Sequence, residues 1–290
     1  MYIAYANTRF SKNSQLIIEQ ANQIIDEYQE QGFTLTLRQL YYQFVSRDII
    51  PNTMQSYKRL GSIINDARMA GLVSWEAIED RTRNLEALPS WNSPRGIMAA
   101  VVDQYRIDKW EKQPYRPEVW IEKEALVGVI AGVCNELQVP YFACRGYNSQ
   151  SEQWLAGRRL MRHQEHGQTP IIFHLGDHDP SGIDTTRDNV DRLEMFAEAP
   201  VKVERLALNI DQIRKHRPPP NPAKMTDSRF VGYVKIHGKQ SWELDALEPQ
   251  MIADLVRSSI RGIIDDTEWA SAVDREEQGR DALRTAMNGM

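Results

Sequence analysis

The chain has 290 residues, of which 41% are hydrophobic and 26% charged, and its formal net charge is −5. This is the balance of a soluble globular protein, long enough for one large domain or two ordinary ones. No apolar run approaches the roughly 18–20 residues needed to cross a bilayer, and the start MYIAYANTRFSKNS lacks the regions of a secretory leader, so a cytoplasmic protein without a membrane partner is expected. Cys134 and Cys144 form no CxxC pair and no Cys/His cluster, which argues against a zinc module and for two buried thiols.

The charge is unevenly spread. Residues 1–112 carry 13 basic and 13 acidic side chains, so the acidic excess lies beyond them. Within 31–73 five basic residues (Arg38, Arg47, Lys58, Arg59 and Arg68) stand against Asp48 and Asp66. A basic N-terminal segment is therefore hidden inside an acidic total, and the net charge does not exclude nucleic acid.

Taken in chain order, the first third reads as helical. Apolar residues at Leu16, Ile17, Ala21, Ile24 and Ile25 have helical spacing over 14–31, and Gly32 ends that run. Thr36 is placed to cap a second helix, LRQLYYQFVSR, which stops near Asp48. A third helix follows Asn52 and carries YKRLGSIINDARMAG, and LVSWEAIEDRTR is a strand, turn or helix. Three helices with a tight turn and a small extension suggest a helix-turn-helix or winged-helix module. Prolines at 89, 94, 114 and 117 mark 84–117 as a connector with one helix inside.

From Glu118 the pattern alternates. The strands EVWIE, YFACRG, PIIFHLGD and VKVERLAL are separated by the helices EALVGVIAGVCNEL, SEQWLAGRRLMRHQE and DPSGIDTTRDNVDRLEMFA, which predicts an α/β fold with a largely parallel sheet. RPPPNP at 217–222 reads as a loop or extended segment, and KQSWELDALEP leads into final helices. The expected division is 1–112, a helical DNA-binding domain with its connector, and 113–290, the α/β domain with C-terminal helices.

Ligands of open parallel sheets gather at the carboxyl ends of the strands. Glu122 closes the first strand, and Asp177 and Asp179 follow the third. In extended backbone, residues two apart project to one side, so three carboxylates could converge there. Their repulsion would reach on the order of 4 kcal/mol per pair at close range and intermediate dielectric, and a divalent cation would remove it. An oxygen-only set suits Mg²⁺ or Mn²⁺. The alternative is an ordinary turn in which an Asp of GDHDPSG caps the next helix. His178 is expected to be a partly exposed neighbour rather than a ligand.

WIEKEAL, VPYFACRGYNS and HLGDHDPSGID, in that order, resemble the Toprim domain (a Rossmann-like, largely parallel fold) of the A subunit of type IIB topoisomerases and of the related meiotic double-strand-break enzyme. The similarity runs from about residue 118 to 185, and RLALNIDQI at 205–213 resembles the next segment of that family. It implies a winged-helix domain ahead of the Toprim domain, Glu122 as acid/base or metal-organising carboxylate, and Mg²⁺ held by Glu122, Asp177 and Asp179. Asn148 stands where the family has proline, and the charged residue expected next is not among Ser149, Gln150 and Ser151.

In the same family a catalytic tyrosine lies upstream in the pattern Arg-x-Leu/Ile-Phe/Tyr-Tyr, here Arg38-Gln39-Leu40-Tyr41-Tyr42. Leu37, Leu40, Tyr41, Phe44 and Val45 form one helical stripe, and Tyr42 lies off it with Arg38 one turn earlier on the same face. Tyr42 is thus the candidate nucleophile and Arg38 its charge partner; the plain alternative is a surface or interface tyrosine. A phenol of ordinary pKa near 10 needs a cation or base nearby.

The resemblance further implies double-stranded DNA as substrate, a homodimer in which one protomer's tyrosine serves the other's acidic site, and nucleoid association. No Gly-rich ATPase motif is present, so ATP-driven strand passage would need a separate subunit. The chain looks like a compact stand-alone relative of the kind found in mobile elements. The candidate DNA contacts are Lys58, Arg59, Arg68, Arg145, Lys224 and Arg229. Cleavage by Tyr42, hydrolysis by a metal-activated water, and DNA binding without catalysis are the three functions these residues allow.

Overall fold

A computed structural model describes residues 1–79 and 88–289. Part of the predicted LVSWEAIEDRTR extension and the start of the connector (residues 80–87) lie outside the described residues. The N-terminal helices are α1 (Lys12–Glu30), α2 (Leu37–Ser46) and α3 (Met54–Met69). Ser11, Thr36 and Thr53 cap them through their hydroxyls. At α2 the cap is reciprocal: the Gln39 amide oxygen also accepts from the Thr36 backbone N–H at 2.8 Å, so two otherwise orphaned donors are satisfied.

The three helices share one apolar core, from Ile17 to Ile78, with Tyr28, Leu40, Phe44, Leu60 and Ile64 inside it. The predicted stripe of α1 is offset by one position. Leu16 is exposed, whereas Ile17, Ile18, Ala21, Ile24, Ile25 and Tyr28 are buried, because the face turned to α2 and α3 includes Ile18 and Tyr28. Residues 72–79 form turns with one bridge, Leu35 to Ile78.

Trp110, beyond the helix α4 (Pro94–Gln104), belongs by packing to the α/β part of the chain, where it is fully buried against the sheet core. The sheet strands are β1 (Tyr115–Ile121), β2 (Tyr141–Ala143), β3 (Thr169–Leu175) and β4 (Lys202–Ala207), ordered β2-β1-β3-β4 and all parallel. Intervening helices are α5 (Val127–Glu136), α6 (Gln150–Glu165) and α7 (Pro180–Ala197). The protein is therefore a helix-rich α/β fold with helices on both faces of a parallel sheet.

Alternation along β1 divides the faces. Val119 and Ile121 join Ile171, Phe173 and Leu175 of β3 under α5 and the later helix α10 (Pro249–Arg261), while Trp120 and Ile172 pack with Leu160 and Leu193 of α6 and α7.

After β4 come α8 (Ile210–His216), β5 (Asn221–Pro222), α9 (Phe230–His237), β6 (Gln240–Ser241), a 3₁₀ turn at Leu244–Ala246, α10 and α11 (Asp266–Asn288). The proline-rich run ends in β5, which pairs antiparallel with β6. Cys134 and Cys144 are free and buried, as their spacing suggested. Among the described residues no helix is long and apolar enough to cross a membrane.

Candidate functional site

The register Ile121 to Leu175 puts the ends of β1 and β3 side by side. Glu122 begins where β1 stops and Gly176 where β3 stops, and the Glu122 N–H still donates to the Leu175 carbonyl at 2.7 Å. The Asp177 N–H then donates to Glu122 Oε2 at 2.9 Å. A Cβ on Gly176 would stand 2.8 Å from that same oxygen, so glycine leaves the Glu122 carboxylate free to reach the Asp177 N–H.

Asp179 is the N-cap of α7, its Oδ1 accepting from the Gly182 N–H at 2.6 Å and the Ser181 hydroxyl at 3.0 Å. The capping role and the grouping with Asp177 coexist: Asp177 and Asp179 line one cleft, and after burial it is Asp179's charge that adds to the rise of the Glu122 carboxyl. Arg205 of β4 fixes the loop between them. Its Nη2 donates to the carbonyls of Gly176 at 2.9 Å and Asp177 at 2.6 Å, and its Nη1 to the Gly182 carbonyl at 2.9 Å.

Asp177 is the buried centre of the cluster. Oδ1 accepts from the Leu244 N–H at 2.7 Å and lies 3.0 Å from Lys123 Nζ. Burial pushes its carboxyl up to about 7 against the pull of Lys123, with Glu122 adding to the rise. Burial raises the Glu122 carboxyl as well. Both directions express negative charge held out of water.

Lys123 also bonds Glu243 and lies 2.9 Å from Asp245 Oδ1. Although burial opposes it, Asp245, Asp177 and Glu243 hold its ammonium charged above the usual lysine range. Arg38 reaches the same two acids from α2, at 2.8 Å to Asp245 and 2.7 Å to Glu243. The turn carrying Glu243 and Asp245 thus bolts the N-terminal helices onto the strand ends.

That docking corrects the expectation for Tyr42. Both Tyr41 and Tyr42 are buried, each 4% exposed. The helix face that carries Tyr42 looks outward within α1–α3 alone, but the 3₁₀ turn covers it; Ala246 packs into the same core. The Tyr42 hydroxyl is 3.5 Å from the Arg38 guanidinium. Burial, then Asp245 and Glu243, push its phenol up to about 12.

Tyr42 and the acids nevertheless share a cavity. A cleft of about 260 Å³ is lined by Arg38, Tyr42, Asp177, Asp179, Lys224 and Glu243. Tyr42 and the carboxylates of its own chain therefore border one cavity.

His178 is buried, not partly exposed. Its Nδ1 is 2.8 Å from the Tyr233 hydroxyl, its backbone pairs with Trp242, and burial and His237 lower it to about 4.

The basic candidates separate. Lys58 and Arg59 are exposed on α3 and have no ion-pair partner among the described residues. Lys224 is exposed on the cleft rim. Arg68 turns inward, donating to the Trp75 carbonyl at 2.7 Å and stacking on its ring. Arg145 pairs with Glu124, and Arg229 with Asp184 at 2.7 Å and Asp227 at 3.3 Å.

The residues fit a hard divalent cation in donor chemistry. Every donor is a carboxylate oxygen, and Glu122 Oε1, Asp177 Oδ2 and Asp179 Oδ2 each lack a hydrogen bond among the described residues. Among the described residues no group of three or more His, Cys, Asp or Glu side chains is arranged so that it could hold a metal ion as it stands. Sequence reasoning missed Lys123, Arg205 and Asp245. Lys123 sits inside the WIEKEAL segment, and Arg205 is the last charged residue of β4, next to its apolar end Leu206-Ala207.

The class these features define is a parallel-sheet α/β protein with a carboxylate cluster at its strand ends. No family model matches the chain, and no curated protein matches it.

Proposed function

We propose that this chain cleaves DNA phosphodiesters with a divalent cation, Mg²⁺ or Mn²⁺, as a compact relative of the A subunit of type IIB topoisomerases. In this reading the parallel sheet is a Toprim domain and α1–α3 belong to a winged-helix domain. The observation that carries it is the single cleft shared by Tyr42, Arg38, Asp177 and Asp179. A cation held by Glu122, Asp177 and Asp179 would neutralise the phosphate and the charge on the leaving oxygen.

In the first form of the reaction the Tyr42 oxygen bonds to phosphorus and the bond from phosphorus to the 3′ oxygen breaks. The phenolic proton passes toward Asp245 and Glu243, and the 3′ oxygen takes up a proton as it leaves. The product is a 5′-phosphotyrosyl link. Arg38 stabilises charge on the phenol oxygen. The second copy and a separate ATPase subunit enter this reading by resemblance alone.

A second form has its own support. Burial of Tyr42 and a phenol at about 12 favour water as the nucleophile: the water oxygen bonds to phosphorus as one phosphorus–oxygen ester bond breaks, the water gives its proton to a cleft carboxylate, the leaving oxygen is protonated, and no protein adduct forms. The test is incubation with uniformly labelled supercoiled DNA and Mg²⁺ or Mn²⁺, then denaturation. An adduct lost in Tyr42→Phe supports transesterification. Cleavage retained in Tyr42→Phe but lost in Asp177→Ala supports hydrolysis, and DNA binding without cleavage in either metal overturns both.

A further inference from the structure

Lys123 stands among three carboxylates: its ammonium is 3.0 Å from Asp177 Oδ1, 2.9 Å from Asp245 Oδ1, and bonded to Glu243 Oε2. The Asp245 side chain is only 1% exposed and holds Lys123 at one oxygen and Arg38 at the other, so removing Lys123 leaves one buried carboxylate oxygen without its cation. Three oxygens around one small cation is the arrangement that a metal would otherwise take.

The fixed charges agree. Glu122, Asp177, Asp179, Glu243 and Asp245 face the cationic side chains of Lys123, Arg38 and Arg205. With all five carboxylates ionised, as a bound divalent cation would require, five negative charges against three positive leave an excess of two, which one such cation balances. Carboxylate sites of phosphoryl-transfer enzymes often hold two metals about 3.5–4 Å apart. Here the position next to Asp177 on the Glu243 and Asp245 side is filled by an ammonium that belongs to the chain.

We propose that Lys123 is a built-in occupant of the second of two adjoining cation positions, so that the chain takes up one divalent cation, at Glu122, Asp177 and Asp179. The inference rests on the metal-dependent reading above. Lys123 is then a positioning residue: it holds Asp177 toward the single cation and keeps Glu243 and Asp245 for Arg38.

The test counts Mn²⁺ bound per chain, by electron paramagnetic resonance of free Mn²⁺ and by calorimetry, on the full chain. Wild type is expected to bind one equivalent. Lys123→Ala and Lys123→Gln, which empty the ammonium position, are expected to double this to two, and Lys123→Arg restores one. Asp245→Asn, made with Lys123 in place, keeps one. Two equivalents in wild type or in Asp245→Asn overturn the proposal while leaving metal-dependent cleavage standing. So does a folded Lys123→Ala or Lys123→Gln that binds one or none. No binding by wild type overturns both, and the wild-type and Asp245→Asn counts, where two equivalents overturn the proposal, still test it should the lysine variants fail to fold.

Discussion

The hydroxyl of Tyr42 lies 3.5 Å from a guanidinium nitrogen of Arg38, one helical turn away, while that guanidinium is already held by Glu243 and Asp245. The phenol is thus a weak participant in the folded network and a close neighbour of the acidic cleft. Tyr42→Phe removes one long hydrogen bond and no packing, so unfolding free energy should change by less than about 1 kcal/mol. Covalent capture of labelled DNA should fall below detection. Chemical denaturation and adduct gels measure the two independently; a large loss of stability would show that the hydroxyl is structural.

Gly176 is set by a close approach. A methyl group there would stand 2.8 Å from Glu122 Oε2 and 3.2 Å from the His174 ring, so Gly176→Ala should displace Glu122 and break its bond to the Asp177 N–H. Cleavage should drop by roughly 100-fold, the cost of misplacing a reacting group by about 1 Å. Overpacking should cost about 1–3 kcal/mol. Single-turnover cleavage with circular dichroism melts checks both, and cleavage at the wild-type rate would remove Glu122 from the reaction.

How much of this was legible in the sequence depended on whether partners were near in the chain. The strands and helices from Glu118 onward follow from period-two and period-3.6 patterns, and Glu122, Asp177 and Asp179 sit where strand ends predict. The caps at Thr36 and Asp179 are local three-residue signals and were equally readable. Tyr42 was not, because the turn that buries it lies some 200 residues later, at Leu244–Ala246. Arg38, Lys123, Glu243 and Asp245 form one network from three distant segments, and no spacing rule joins them. Arg68 read as an exposed base because helix position does not reveal Trp75 lying over it.

His174 lies fully buried in β3, with Nδ1 2.8 Å from the Thr186 hydroxyl, and burial followed by Arg205 pushes its pKa down to about 3. The unfolded chain takes up this proton near pH 6.5 and the folded protein does not. The stability contributed by neutral His174 is therefore complete above pH 6.5 and is lost as pH falls toward 3. From pH 6.5 to 5 the loss from this group is about 2 kcal/mol at roughly 1.4 kcal/mol per unit. In His174→Gln the drop in stability between pH 7.5 and pH 5 should be smaller by about that amount, read from urea midpoints at both pH values. Equal drops would mean that the imidazole is protonated in the folded protein.

At Gly157 α6 crosses α7 so closely that an added Cβ would collide with Phe196. Gly157→Ala acts far from the carboxylates. It should destabilise by about 1–3 kcal/mol, lowering the melting midpoint by several degrees. Cleavage per folded molecule should stay within twofold of wild type. A cleavage defect at temperatures where the variant is folded would tie this helix contact to the site.

Lys58 and Arg59 on α3 and Lys224 on the cleft rim are exposed, whereas Arg68 is engaged with Trp75. If the exposed three neutralise phosphates, each substitution by Gln should weaken DNA binding about equally for all sequences. Each should also reduce the slope of log affinity against log salt by about 1. Arg68→Gln should leave the slope unchanged and instead cost stability, because it removes a hydrogen bond to the Trp75 carbonyl and a stacked cation. Fluorescence anisotropy from 50 to 200 mM salt distinguishes the two groups. An Arg68→Gln slope reduced like that of Lys58→Gln would show that the stacked guanidinium swings out to the duplex. Unchanged slopes for all three exposed residues would move the DNA path off α3 and the cleft rim.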